Sequence, residues 1–182
     1  MPTESEKKLE AMLVEFETSH PDAGKTFRTL IAETPALKTN LLDAIDKGNL
    51  KKIGPLPPGV PAGMPAAYAA DQKMIIVNDT LLDRAGKDPV LANTMRMIMT
   101  HESEHAVNKQ AIDASNQKYV TALEAVAKGP SPHDYTEVVK AKGAEDRLRE
   151  ATDQIGGFNA VADHVRKLNP NASEPQLYAK LY

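Results

Sequence analysis

The sequence places two histidines and a glutamate within five consecutive residues, His101-Glu102-Ser103-Glu104-His105. On an α-helix, side chains four positions apart lie one turn above each other on the same face. His101 and His105 can therefore direct two imidazole nitrogens at one metal ion, and zinc is the usual ion of this motif. Glu102 is rotated by about 100° from His101 on the helix, so it can take a proton from an attacking water. The spacing predicts metal-assisted hydrolysis.

The third ligand of such an ion has to come from elsewhere in the chain. A catalytic zinc site has three protein ligands and one open position, and the sequence contains no cysteine. The longer pattern HExxHxxGxxH is absent, because Asn108 replaces its glycine and Ala111 replaces its third histidine. The remaining candidates are acidic and histidine residues of later segments, namely His133, Glu137, Glu145, Asp146, Glu150, Asp153 and His164.

The motif falls inside a predicted helix. Asp88 and Pro89 are typical of an N-cap and of the first helical position, and no breaker follows them before about residue 112. Met95 and Met99 belong to an apolar face that can bury this helix in a core. The sequence therefore predicts that the two histidines project from a helix that is anchored by its other side.

Further helices are predicted after the motif helix. One spans 115–127, a second runs from about 135 to 155, and a last stretch continues to residue 168. The second is broken or continued at Gly143, and the pair Gly156-Gly157 precedes the last stretch. The third ligand should therefore lie on one of these later helices.

The first part of the chain is predicted to be helical as well. The spacing of Thr3 and Glu6 is that of a capping box, which starts a helix with apolar residues at helical intervals. Asp22 can cap a second helix, and Pro35 suits the first turn of a third. These patterns predict an N-terminal helical subdomain, or cap, over 1–52.

A loop and a hairpin follow the predicted cap. The segment 53–65 contains five prolines and three glycines, which excludes a helix and predicts a linker. The segments 66–70 and 73–77 flank a two-residue turn and form the clearest β signal of the chain. We therefore expect an α+β fold that is predominantly helical, with a small β-sheet or hairpin and a second domain over 66–182.

Composition excludes several classes of function. The net charge is −3, the pI is about 6.0 and aromatic residues make up 4% of the chain. Neither a basic surface nor stacking platforms are indicated, so nucleic acid is not the expected partner. No apolar run is long enough to span a membrane, and the polar start of the chain lacks a secretory signal. We expect a cytoplasmic protein or one secreted by a route that needs no signal peptide.

An HExxH helix after a short strand, with a glutamate on a later helix, resembles the gluzincin group of zinc peptidases. Over roughly residues 66–165 the chain is similar to small bacterial effector and toxin metallopeptidase domains. These include the peptidase domains of type VI secretion spike proteins and related type III effector proteases. In such domains the ligand glutamate often opens a helix reading Glu-Ala-x-x-Gln-x-x-Gly-x-Asn. The chain has this pattern at Glu150-Ala151-Thr152-Asp153-Gln154-Ile155-Gly156-Gly157-Phe158-Asn159.

The resemblance implies a zincin-like core with Zn²⁺ as cofactor and a protein or peptide as substrate. It assigns the third ligand to Glu150, and Glu145 is the alternative. In large gluzincins an aspartate four residues after the ligand glutamate orients a histidine; Gln154 takes that position here, so Asp153 and Asp146 are the candidates for this role. Tyr135, together with His133 and His164, is of the type that stabilises an oxyanion. A secreted effector would also imply a secretion-apparatus or immunity partner.

Two other functions stay open from the sequence. A zinc amidase that acts on cell-wall peptides would use the same chemistry as a peptidase. A helical interaction module with a vestigial or structural metal site is the alternative outside enzymes. An open coordination position would favour hydrolysis, and a closed site would favour the module.

Overall fold

Helices dominate the computed structural model, which describes residues 1–181. Tyr182, the last residue of the predicted second domain, lies outside the described residues. One small sheet interrupts the helices, so the predicted α+β class, predominantly helical, is confirmed. In chain order the elements are α1 (Glu4–Ser19), α2 (Pro21–Glu33), α3 (Pro35–Asp46), β1 (Lys52–Pro55), β2 (Ala66–Ala69), β3 (Met74–Val77), α4 (Asp79–Ala85), α5 (Pro89–Ala127), α6 (Thr136–Leu168) and α7 (Glu174–Leu181).

The first three helices begin where local signals predict. The N–H of Glu6 donates to Thr3 Oγ1 at 3.2 Å, and Glu6 Oε2 accepts the N–H of Thr3 at 2.9 Å, so the capping box is confirmed. Helices α2 and α3 each begin with a proline, which suits the first helical turn. Their buried side chains join the sheet and α5 in one hydrophobic cluster. The domain boundaries at residues 52 and 65 stay predictions.

The sheet has three strands in the order β1-β3-β2. Strands β2 and β3 form the predicted hairpin, with Ala66 opposite Val77 and Ala69 opposite Met74. Strand β1 pairs in parallel with β3 and includes the first residues of the segment predicted as a linker. Its pairing partner is distant in sequence, which is why local composition did not indicate a strand. Because β3 is the central strand, β2 lies at an edge of the sheet.

Two long helices complete the fold. Helix α5 has 39 residues and α6 has 33. The predicted interruption between residues 112 and 115 is wrong, because no glycine or proline breaks α5 there. Helix α6 continues through Gly143 and also through Gly156-Gly157, so the separate last stretch predicted after this pair is wrong. Contacts of Met97 with Gly157 and of Asn108 with Asp153 show that the two helices run antiparallel. Among the described residues, no helix is long and apolar enough to cross a membrane.

Candidate metal centre

Helix α5 is fixed at its start and along one face. The carboxylate of Asp88 accepts the N–H of Val90 at 3.0 Å, which caps the helix as predicted. Met95, Met99 and Ala106 are buried in the main hydrophobic cluster. The histidines of the motif lie on an adjoining, half-buried face. Packing of the apolar face therefore leaves the imidazoles directed away from the core.

The two imidazoles converge on one point. His101 Nε2 and His105 Nε2 are 3.0 Å apart, and the ring planes are inclined by 84°. Two nitrogens about 2.05 Å from a tetrahedral zinc would be roughly 3.3 Å apart. The observed separation needs a shift of only a few tenths of an ångström, so the pair fits zinc. The ligand atoms of His101, Glu102 and His105 all lie within 4.8 Å of one another, which makes them a candidate metal-binding group.

Helix α6 brings Glu150 to the two rings. Glu150 Oε2 lies 3.7 Å from His101 Nε2 and 3.7 Å from His105 Nε2. Ligand atoms in a tetrahedral zinc site are separated by about 3.3–3.5 Å, so this carboxylate is close to the distance that a third ligand needs. Its side chain is 56% exposed, in contrast to 14% for His101 and 18% for His105. The group therefore opens to solvent on the side of α6.

Glu102 is held from the opposite side by the sheet. Its Oε2 accepts the main-chain N–H of Tyr68, on edge strand β2, at 2.9 Å. Its Oε1 lies 3.9 Å from His101 Nε2. Burial raises the pKa of Glu102, and this exceeds the lowering by the Tyr68 N–H and by the two histidines. A half-buried carboxylate with a raised pKa beside a metal-binding pair is suited to accept a proton.

A buried carboxylate lies next to one of the imidazoles. Asp153 is 1% exposed, and its Oδ2 lies 3.1 Å from His105 Nδ1. These two atoms are within hydrogen-bond distance, but their alignment does not meet the criteria for a hydrogen bond. A small rotation of either side chain would align them. Asn108 Nδ2 donates to the other oxygen of Asp153 at 3.4 Å. Burial, and next the charge of Asp153, raise the pKa of neighbouring Glu104. Asp153 thus lies where it can orient His105.

Other candidates lie away from the histidines. Glu145 is exposed, about 140° around α6 from Glu150. Asp146 forms ion pairs with basic side chains of its own helix, including Arg149. Tyr135 is the N-cap of α6, roughly 22 Å along the helix from Glu150.

The remaining candidates from the later helices also have other neighbours. His133 lies beside the N-terminus of α6, 6.4 Å from the ring of Tyr135. Glu137 pairs with Lys140 of its own helix at 3.1 Å. His164 faces Glu33 of α2, with 3.9 Å between Nε2 and the carboxylate.

Several residues that assemble the group were not identified from the sequence. Tyr68 supplies a main-chain donor, a role that no side-chain pattern indicates. Asn108 stands where the extended motif has glycine, and this departure is the signal that could have pointed to its contact with Asp153. At Gly157 an added Cβ would lie 2.5 Å from the carbonyl oxygen of Met97. The glycine therefore permits the close approach of α6 to α5 that brings Asp153 to the rings.

Comparisons with protein-family models, with curated proteins and with solved structures find no match for this chain.

Proposed function

We propose that this chain is a zinc-dependent hydrolase of peptide bonds with a gluzincin-like ligand set. The observation that carries the proposal is the convergence of His101 Nε2, His105 Nε2 and Glu150 Oε2, separated by 3.0 and 3.7 Å. Two imidazoles and a carboxylate are the ligands of many hydrolytic zinc sites. The exposure of Glu150 leaves access from solvent, which supports a catalytic rather than a closed structural site.

The residues around the group can divide the work of hydrolysis. A bound zinc ion supplies Lewis acidity to water and to a substrate carbonyl. Glu102, beside the histidines, accepts the proton of the attacking water and passes it to the leaving amine. The N–H of Tyr68 restricts one carboxylate oxygen of Glu102, so the other oxygen, Oε1, is the one that moves the proton. Asp153 orients the ring of His105 and raises its basicity as a ligand.

A peptide substrate suits the elements that border the group. Strand β2 is an edge strand that lies directly beside Glu102. Tyr68 already donates its N–H on this edge to Glu102, so an extended peptide would add through the other main-chain groups of the edge, which would hold a peptide bond near the metal. This arrangement favours proteolysis over hydrolysis of a small amide. Delivery as an effector or toxin, by a route that needs no signal peptide, is a proposal that rests on the sequence resemblance alone.

Metal analysis combined with one substitution tests the proposal. The purified protein should contain one equivalent of zinc and cleave a peptide library or an unfolded protein. Glu102→Gln should keep the zinc and lose about 10²–10⁴-fold in turnover, because general-base catalysis contributes that much. Glu124→Gln is the matched control, since Glu124 lies on the same helix in an exposed pair with Lys128. Equal turnover in both variants would refute the assigned base, and zinc without cleavage would favour the non-catalytic module.

A further inference from the structure

Asn49, which follows α3, makes hydrogen bonds to three different parts of the fold. It is 2% exposed. Its side-chain Nδ2 donates to the carbonyl of Ala106 on α5 at 3.0 Å. Its own carbonyl accepts the hydroxyl of Tyr68 on β2 at 2.6 Å, and its N–H donates to Ala44 O on α3 at 2.8 Å. The residue therefore joins the end of α3 to the motif helix and to the edge strand.

Tyr68 donates hydrogen bonds from both its main chain and its side chain. Its main-chain N–H donates to Glu102 Oε2, and its ring hydroxyl donates to the carbonyl of Asn49. The hydroxyl of Tyr68 is a donor at neutral pH, and burial, with the charge of Asp113, raises its pKa to about 12, which extends this into the alkaline range. The position of the N–H that binds Glu102 is therefore linked to the position of Asn49.

We propose that Asn49 and Tyr68 are positioning residues that fix the carboxylate of Glu102 beside the metal-binding histidines. This inference rests on the proposed function. The two hydrogen bonds act in series: Tyr68 is bound to Asn49, and Asn49 is bound to α5 at Ala106, the residue directly after His105. Breaking either bond removes this second connection between strand β2 and the motif helix and leaves the hydrogen bond from Tyr68 to Glu102 without its support.

The bond from Asn49 to α5 is not needed to satisfy the helix. Ala106 lies inside α5, where its carbonyl accepts the N–H four residues later. The extra donor from Asn49 therefore adds a constraint on position rather than a partner for an otherwise unpaired acceptor. Gly48, with φ 65°, ends α3 in the left-handed region and turns the chain so that Asn49 enters the core.

The N-terminal helices are, in this view, part of the framework of the metal centre. Asn49 belongs to the segment 1–52, which the sequence suggested was a separate cap. Its contacts reach the residue after the second histidine and the strand that holds the base. Loss of these contacts should impair the chemical step without removing a metal ligand.

A double-mutant cycle tests the serial arrangement. The variants are Asn49→Ala, Tyr68→Phe and the double variant, with Tyr119→Phe as a control that removes a phenol hydroxyl elsewhere. Zinc content, kcat and KM are measured for each, together with amide hydrogen exchange at residue 68. Each single variant should keep its zinc and its KM and lose about tenfold in kcat, the effect of one hydrogen bond. The double variant should also lose about tenfold in kcat, because either single change already interrupts the series of hydrogen bonds.

Hydrogen exchange separates failure of this inference from failure of the proposed function, because it needs neither zinc nor substrate. The amide of residue 68 should exchange about tenfold faster in both single variants, while the amide of Ile75 in the centre of the sheet stays unchanged. Parent-like exchange at residue 68, or losses in kcat that multiply in the double variant, would overturn the proposal. Tyr68→Phe keeps the ring and its packing, so it decides the question even if Asn49→Ala does not fold.

Discussion

Gly157 lies where the two long helices approach each other closely, and an alanine at this position tests how the metal centre is assembled. The added Cβ would lie 2.5 Å from the carbonyl oxygen of Met97 on α5. A carbon–oxygen contact normally needs about 3.3 Å, so α6 has to move away by about 0.8 Å. Asp153 and Glu150 precede Gly157 by about one and two turns on the same helix. The displacement therefore reaches both carboxylates.

The expected magnitude follows from the distances at His105. A shift of about 0.8 Å would lengthen the separation of His105 Nδ1 and Asp153 Oδ2 from 3.1 Å to about 3.9 Å, beyond hydrogen-bond range. Losing the partner of a ligand histidine lowers metal affinity by about 10- to 100-fold. Alanine in place of glycine gains about 1 kcal/mol in a helix, whereas overpacking costs about 1–3 kcal/mol. Gly157→Ala should thus bind zinc at least about tenfold more weakly and lose about 0–2 kcal/mol of stability.

Gly143→Ala is the matched control on the same helix. Its added Cβ would meet Arg147 Nη1 at 3.3 Å, the far end of a flexible side chain. This variant should keep its zinc affinity and gain up to about 1 kcal/mol in the free energy of unfolding. Zinc affinity is measured by competition with a chromogenic chelator, and stability by urea unfolding of the metal-free proteins.

Two outcomes would refute the reasoning about Gly157. Equal zinc affinity in Gly157→Ala and Gly143→Ala would mean that the spacing of the helices does not position the carboxylates. An equal loss of affinity in both would mean that any change in α6 disturbs the site, regardless of its contact with α5.

Two further predictions concern the third ligand and a half-buried histidine. Glu150→Ala should weaken zinc binding by more than about 100-fold, and far more than Glu145→Ala, because Glu150 and not Glu145 lies 3.7 Å from both imidazoles. A larger loss of affinity in Glu145→Ala would assign the third ligand to Glu145. Burial, and next the charge of Arg96, lower the pKa of His164, so stability should fall as the pH drops below the ordinary value of 6.5, where only the unfolded state takes up the proton. Urea unfolding at about pH 7.5 and about pH 5.5 should show a smaller loss for His164→Asn than for the parent, and equal losses would contradict this assignment.

Local signals were sufficient for much of the fold. Thr3 with Glu6, Pro35 and Asp88 each mark a helix start through contacts within a few residues, and the structure has helices at these places. Strand β1 was missed because its stability comes from pairing with β3, about 20 residues later. The expected break near residue 112 was wrong because it was placed without any residue that disfavours a helix.

The candidate site also combines features set by local sequence with features set by long-range packing. Helix geometry alone places His101 and His105 on the same face one turn apart, so their proximity could be predicted from spacing. The proximity of Glu150 and Asp153 depends on how α6 packs against α5, which sequence spacing does not determine. The sequence pattern proposed Glu150 only by resemblance and left Asp153 as one of two alternatives. The donor to Glu102 could not be predicted, because a main-chain N–H is available at almost every position.

The roles proposed for the two glutamates follow from what holds each of them. Glu102 and Glu150 are chemically identical, but Glu102 accepts a main-chain N–H of the sheet and is 16% exposed, whereas Glu150 is 56% exposed. Burial is the main cause of the raised pKa of Glu102, and the charge of Glu150 adds to it, so the two carboxylates repel each other in the absence of a cation. A divalent ion bound by the more exposed carboxylate would offset this repulsion, and the carboxylate held by Tyr68 would remain beside it. Ligand and base are therefore distinguished by their surroundings and not by residue type.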